Sequence, residues 1–391
     1  MDRLHISDHT AASRFSTPQG CDEIHCVIRS DRGMSFDAAL SAVVKRYAGA
    51  CERLGLSCRD AVFGRVYFSD IENQKDRLCA SALAGSFPHA ALSVVQGRPL
   101  AGGPVMLAAY HIPIPDAEPC ARTDYNESML RMSTVVPGRH YRMLLTANFG
   151  GRGTADAYRQ TREVLASLGS ALERNDMSLS ANAIRTWVYV RDIDNRYKDM
   201  VRARREFFAA GGLTEKTRYL ASTGIEGKTA HIESAVSVDS LSLAPLDPAQ
   251  IVRMEAPTHM PPTISYGVTF ERGLRVRFGD RSHLYISGTA SIDAAGAILH
   301  PGDCAKQAGR MLENVDALLK KQGAGLGDMA CAIQYVRDIH DAPAAQEIVS
   351  RALPPDTPLA VVEGSVCRPG WLTEMEGIAL MKDTNGFPSF P

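Results

Sequence analysis

The sequence predicts an α+β chain made of three copies of one module, able to close a pseudo-trimer from a single polypeptide. One phrase occurs three times, as Val66-Tyr67-Phe68-Ser69-Asp70-Ile71, Val188-Tyr189-Val190-Arg191-Asp192-Ile193 and Gln334-Tyr335-Val336-Arg337-Asp338-Ile339. Self-similarity at long, roughly even spacing marks repeated structural units. Each copy follows an amphipathic helical stretch and precedes a second one, a Pro- or Gly-marked turn and another apolar strand. The length agrees, since 391 residues exceed the roughly 250–300 at which single cores stop growing.

The first module is expected over 19–125, after an N-terminal tail at 1–18. Residues 36–54 place Ala39, Leu40, Val43, Val44, Tyr47, Ala48, Cys51 and Leu54 at helical spacing, and Gly55 gives a stop signal. A β-branched and aromatic run at 61–68 predicts a strand, 72–84 a second helix, and 90–95 and 105–112 further strands. Gly102-Gly103-Pro104 supplies the turn between the last two.

The second module is expected over 126–262, following a polar connection at 113–139. It reads as a strand at 141–147, a turn at Gly150-Gly151-Arg152-Gly153, a helix at 155–173, the repeated strand at 184–190, a helix at 196–210 and closing strands at 217–221 and 231–238. Residues 243–262, with five prolines, read as a linker. The third module is expected over 263–382: strands at 266–272, 276–277 and 284–287, a long helix at 303–321, the repeated strand, a short helix at 343–352 and closing strands at 359–366 and 372–381. Residues 383–391 read as a C-terminal tail. Strands with helices segregated to one side make each module α+β.

Composition narrows the function. A formal net charge of -1 gives no global attraction to nucleic acid, and neither a leader-like start nor a run of about 18 apolar residues is present. The expectation is a cytoplasmic protein with a small-molecule partner, no nucleic acid and no membrane. Nine cysteines without a C-x-x-C pair read as reduced small hydrophobes. Scattered histidines predict no metal. The glycine-rich pieces lack the Lys-Ser/Thr of a phosphate loop and read as turns.

In the run Leu372-Thr373-Glu374-Met375-Glu376-Gly377-Ile378-Ala379, the two acids share a face because strand side chains repeat every two residues. Paired carboxylates suit acid chemistry when burial and a neighbouring charge keep one neutral. The competing reading is a solvated face on an edge strand.

Together with that run, Ile286-Ser287-Gly288-Thr289-Ala290-Ser291, Gln307 and Asn314-Val315 resemble the RidA/YjgF superfamily, over nearly the whole third module and more weakly in the first two. Arg185-Thr186-Trp187, the run from Ala221 through Ser222-Thr223-Gly224 to Gly227, Tyr266-Gly267 with Phe270-Glu271-Arg272, and Val366-Cys367-Arg368 are similar to its chorismatase branch. The resemblance implies chorismate-mutase-like modules around a central barrel, with clefts between neighbours. It places Glu374 at the cleft carboxylate position and Ser287, Gly288 and Thr289 along the floor. The same position is read as Met106 in module one and His231 in module two, so one functional cleft beside two degenerate ones is expected. The arginine of imine-hydrolysing members falls, ungapped, at Leu359.

An enolpyruvyl ether is cleaved by protonating its methylene carbon, which needs an acid still protonated near neutral pH. Glu374 beside Glu376 is the candidate acid. The carboxylates of chorismate call for guanidinium groups, with Arg368, Arg204 and Arg185 as candidates. Ser222, Thr223 and Gly224 form a turn able to donate hydrogen bonds. Cys367 reads as a small pocket-lining residue, since no histidine partner is suggested. The leading expectation is a cofactor-independent chorismatase-type enzyme acting on a small carboxylated enol ether in secondary metabolism. An imine or enamine hydrolase and a non-catalytic metabolite-binding protein are the alternatives. The chain is expected to be a monomeric pseudo-trimer or a higher oligomer of one.

Overall fold

A computed structural model describes residues 1–114, 130, 132–152 and 156–391. Its elements, in chain order, fall into three groups. The first is β1 (Asp2–Ser7), β2 (Thr10–Phe15), β3 (Glu23–Arg29), α1 (Phe36–Leu54), β4 (Ala61–Phe68), α2 (Ile71–Cys79), α3 (Ala82–Gly85), β5 (Ala91–Gln96) and β6 (Val105–His111). The second is β7 (Ser133–Pro137), β8 (Arg142–Gly150), α4 (Ala157–Glu173), α5 (Leu179–Asn182), β9 (Ala183–Val190), α6 (Ile193–Ala210), β10 (Ala221–Glu226), β11 (Lys228–Thr229) and β12 (Val236–Ala244). The third is β13 (Ile251–Arg253), β14 (Gly273–Arg277), β15 (Arg281–Ala290), α7 (Cys304–Lys320), β16 (Met329–Val336), α8 (Ala342–Ala352), β17 (Leu359–Glu363) and β18 (Thr373–Lys382).

Among the described residues these strands make three sheets, ordered β1-β2-β3-β6-β4-β5-β11, β10-β9-β12-β8-β7 and β13-β14-β15-β18-β16-β17. Each repeated phrase is the strand between a parallel neighbour and an antiparallel one: β4 between β5 and β6, β9 between β10 and β12, β16 between β17 and β18. Strand periodicity then explains the phrase itself. Tyr67, Tyr189 and Tyr335 point into one apolar core shared by all three sheets. Val66 and Phe68 turn the other way, under the helices of module one, as do Val188 and Val190 in module two.

The helices begin and end where their chemistry dictates. Ser35 caps α1 by accepting from the Ala38 N–H, and Gly55 ends it in the left-handed region at φ 69°. Asp303 caps α7 through the Lys306 N–H, and Ala308, Met311, Leu312, Val315, Leu318 and Leu319 form its buried stripe.

Several expectations need correction. Residues 1–18, read as a tail, contain the β1–β2 hairpin, which extends the first sheet and touches module three through Ser13 Oγ donating to the Ala330 carbonyl at 2.6 Å. The closing strands of module two lie at Ala221–Glu226 and Val236–Ala244, about five residues later than expected. Residues 243–262 are not a free linker, since β13 lies on the edge of the third sheet. Residues 266–272 are not a strand; a short 3₁₀ turn at Thr263–Tyr266 precedes β14. The C-terminal residues are anchored, with Phe390 buried against Phe278 and His283. Much of the connection at 113–139, and Gly153 to Ala155 of the expected turn and helix start, lie outside the described residues.

The modules are joined by matching contacts. Val366, ahead of β18, bridges to Ile225 on β10, and Pro99, ahead of β6, bridges to Val362 on β17. The N–H of Glu226 donates to the Ser365 carbonyl at 2.9 Å, and that of Glu363 to the Arg98 carbonyl at 2.8 Å. Buried ion pairs cross each junction: Arg65 with Asp239 at 2.8 Å, Arg185 with Glu376, and Arg281 with Glu23 at 2.8 Å.

Candidate active site

Glu374 sits on β18 in the middle of the third sheet, opposite Ala290 on one side and Tyr335 on the other. That excludes the solvated edge-strand reading: Glu374 is 3% exposed and Glu376 1%. Two residues apart, the acids share a face but have different partners. Glu376 accepts hydrogen bonds from Arg185, from the Thr223 hydroxyl, from Trp187 Nε1 at 2.9 Å and from the Tyr335 hydroxyl at 2.9 Å.

Glu374 lies in the cleft between modules two and three, lined by Tyr197, Arg204, Phe270, Arg272, Cys367 and Trp371 among others. Burial, reinforced by the negative charge of Glu376 and opposed by Arg185 and Arg272, raises its pKa to about 8. The carboxyl therefore keeps its proton at neutral pH. Its seat depends on Gly288, because a Cβ there would stand 2.2 Å from Glu374 Oε1. A break in the β15–β18 register between Ile286 and Thr289 brings the Ser287-Gly288 backbone up to the acid.

Two guanidinium groups face this carboxyl across the cleft. Arg204, on α6, is 3% exposed and, among the described residues, donates hydrogen bonds only to the hydroxyls of Thr269 at 3.3 Å and Ser222 at 3.4 Å. Burial lowers its pKa, and it has no carboxylate partner among the described residues. Arg272, 5% exposed, donates to the Pro261 carbonyl. The two centre 6.0 and 5.9 Å from the Phe270 ring, so together they frame a site for carboxylate groups.

The structure sorts the sequence candidates into a cleft set and a supporting set. Glu374, Arg204, Arg368, Ser222, Thr223, Gly224, Gly288 and Cys367 all line the cleft. Arg368 stacks on Trp371, 5.1 Å from its ring. The Cys367 thiol is pushed up to about 12, chiefly by burial, which leaves it un-ionised. Ser287 is behind the floor, its hydroxyl accepting from the Ser222 N–H at 2.9 Å and donating to the Glu271 carbonyl at 2.6 Å. Thr289 is buried and donates to the Ser287 carbonyl. Arg185 and Glu376 do not enter the cleft; they bind each other and border an interior cavity of about 80 Å³ in the shared core.

Thr223 links the two sets. Its hydroxyl accepts from Arg185 at 2.6 Å and from the Gly288 N–H at 3.0 Å, while donating to Glu376. Arg272, Phe270, Tyr197 and Trp371 were not candidates. The only sequence signal for Arg272 was its place in Phe270-Glu271-Arg272, and for Tyr197 the helix after the repeated strand.

The other module junctions correct two positional assignments. The residue that pairs across from the phrase tyrosine is Glu374 in module three, Met106 in module one and Ser237 in module two, not His231. Leu359 borders a different cleft; the residue at its position facing Glu374 is Ser222, three residues off register with the tyrosine in both cases. Between modules one and two the cleft is filled. Asn148 holds the position of Gly288 there, and its side chain accepts from the Val94 N–H at 3.0 Å and donates to the Leu92 carbonyl at 2.7 Å. Asp239 repeats the part of Glu376, taking Arg65 and the Ser93 hydroxyl at 2.6 Å. An acid at this position therefore occurs with a serine, Ser237, in place of Glu374 beside it, and there it ties module two to Arg65 and Ser93 of module one.

Among the described residues no helix is long and apolar enough to cross a membrane, and no three His, Cys, Asp or Glu side chains cluster to hold a metal ion.

Comparison with known proteins follows the same lines. Residues 276–381 match the family model described as Endoribonuclease L-PSP. A 3-hydroxybenzoate synthase of Streptomyces hygroscopicus is 27% identical over 231 residues, which cover 51% of this chain and 64% of that protein, just under two thirds of its length. A RutC family protein of Pyrococcus abyssi is 32% identical over 97 residues, covering 25% of this chain and 76% of its own. A crystal structure of a chorismatase superposes with a TM-score of 0.62 at 16% identity, covering 82% of this chain and 93% of that one, and so shares the fold. The repeat, the module architecture and these matches converge, with the likeness to a chorismatase lying in the fold: the chain belongs to the RidA/YjgF superfamily.

Proposed function

We propose that this chain is a cofactor-independent enzyme that cleaves chorismate, or a related carboxylated enol ether, in the cleft between modules two and three. The observation that carries this reading is the pairing of Glu374, protonated up to about pH 8, with the buried and carboxylate-free Arg204 across the same cleft. The name of the Streptomyces relative, a synthase of an aromatic hydroxy acid, points the same way.

The chemistry needs little else. Glu374 donates its proton to the enolpyruvyl methylene, leaving an oxocarbenium ion and a glutamate carboxylate. Water adds to that cation, returns a proton to Glu374, and the hemiketal collapses to pyruvate and a ring alcohol. Capture by the ring hydroxyl instead, followed by aromatisation, releases pyruvate and a hydroxybenzoate with no net water. Arg204 and Arg272 would hold the substrate carboxylates while the developing positive charge forms between them and the departing proton. The Cys367 thiol and Gly224 line the cavity near the ring.

The free space beside Glu374 is about 20 Å³, close to the room one water needs. A cyclohexadiene bearing two carboxylates is larger, so binding requires the cleft to widen. An imine-hydrolysing reading finds Ser222 where its arginine is expected to face the acid, and we place it second. The three modules act together as a pseudo-trimer within one chain, alone or as a higher oligomer of it.

The test is purified chain with chorismate, following pyruvate by coupled oxidation of a nicotinamide reductant and identifying the ring product by mass spectrometry. Pyruvate together with a dihydrodiol or a hydroxybenzoate supports the proposal. A folded protein that releases no pyruvate overturns it.

A further inference from the structure

The junction between modules three and one is built like the one that holds Glu374. Its strand bridge is the same, Pro99 to Val362 in place of Val366 to Ile225, and its backbone bonds match. Its contents differ in three ways. Met106 replaces the acid. The turn that carries Arg368 and Trp371 in one cleft carries Ala101 and Gly102 in the other. Counted from the repeated Asp-Ile pair, Ser350 replaces Arg204. Loss of these large side chains leaves an open cavity of about 590 Å³, within the size range of metabolite sites.

The cation missing from the helix reappears on the opposite wall. Arg29 holds the position of Ala290, directly across from Met106 as Ala290 is from Glu374. Its guanidinium donates to the Leu359 carbonyl, its Nε is buried without a partner, and burial lowers its pKa. Arg32 stands exposed on the same cavity with no ion-pair partner among the described residues. The remaining charges are already engaged: Asp356 and Asp8 with His5 at 2.8 and 3.7 Å, and Asp31 with His9 at 2.8 Å and Arg46 at 2.7 Å. What this leaves available to a ligand is two guanidinium groups in a cavity of substrate size, with Met106 in place of an acid at the position equivalent to Glu374.

We propose that the cleft between modules three and one is a second, non-catalytic site that binds a small organic carboxylate through Arg29 and Arg32. The proposal rests on this cleft alone and not on turnover at Glu374, so a chain inactive on chorismate leaves it standing.

The experiment is calorimetric titration of the full chain with 3-hydroxybenzoate, and separately with inorganic phosphate. Three variants accompany the wild type: Arg32→Glu reverses an exposed charge, Ser350→Trp fills the cavity from its exposed wall, and Gly288→Ala obstructs the cleft of Glu374. The expected result is 3-hydroxybenzoate binding that survives Gly288→Ala, weakens at least tenfold in Arg32→Glu and disappears in Ser350→Trp, with circular dichroism confirming folded variants. Binding lost only in Gly288→Ala, binding of phosphate as tight as that of the aromatic acid, or no binding at ten-millimolar ligand overturns it.

Discussion

Replacing Glu374 by Gln removes the proton donor while keeping nearly the same volume against Gly288. The acid's raised pKa of about 8 leaves about nine-tenths of the population protonated at pH 7. A positioned general acid contributes about 10²–10⁴-fold to rate, so pyruvate release by Glu374→Gln should fall by that factor, about 2.7–5.5 kcal/mol in barrier. The wild-type rate should be flat from about pH 6 to 7 and then fall tenfold per unit above about pH 8, the signature of a required protonated group. Stopped or continuous pyruvate assays across this range, with the variant alongside, read both quantities. The sign of the linked stability follows from the same shift. The folded chain holds a proton that an unfolded glutamate releases near pH 4.5, so this group's contribution to stability is lost as pH rises from about 4.5 to about 8. A variant with wild-type rate, or a wild-type rate that rises through pH 8, refutes the assignment of Glu374 as the acid.

Other outcomes follow from the same geometry. Glu376→Leu strands Arg185 in the interior and should cost about 3–5 kcal/mol in urea unfolding, while removing a negative neighbour of Glu374 and moving the alkaline limb of activity to lower pH. Arg204→Met should lower kcat/KM about 10–100-fold, mainly through KM, if one charge-assisted carboxylate contact is lost; steady-state kinetics on chorismate measures it. Gly288→Ala, whose methyl would meet Glu374 Oε1 at 2.2 Å, should abolish turnover with the far-ultraviolet circular dichroism unchanged. Asn148→Gly keeps a backbone that fits φ 57° but loses two side-chain bonds to module one, and should destabilise by about 1–3 kcal/mol in the same urea assay.

Much of the architecture was legible because it depends on local rules. The helix at 36–54 with its Gly55 stop, the strand at 61–68 and the long helix of module three follow from apolar spacing and caps, which act within a few residues. The threefold phrase reported the module count because each copy is a central strand with an inward tyrosine. Glu374 and Cys367 were singled out by the motifs that contain them, and Arg204 only as one of three candidate guanidinium groups; all three line the same cleft. Errors arose where partners lie far away in sequence. Residues 1–18 looked like a tail because only pairing with β3 makes β1 and β2 into strands. His231 was taken for Ser237 because a strand's register is set by its neighbour, and loop length before β12 hides it.

The division of labour between the two glutamates was beyond the sequence altogether. Alternation puts Glu374 and Glu376 on one face, and nothing local says that Arg185, Trp187 and Thr223, about 150 to 190 residues earlier, converge on the second and not the first. The sequence by itself determined the modules, their strands and the position of an acid. Which acid keeps a proton, which buried arginine has no carboxylate partner among the described residues, and which of three similar clefts is filled, closed or open were decided by tertiary structure, because charge and free volume depend on the groups that folding brings within a few ångströms.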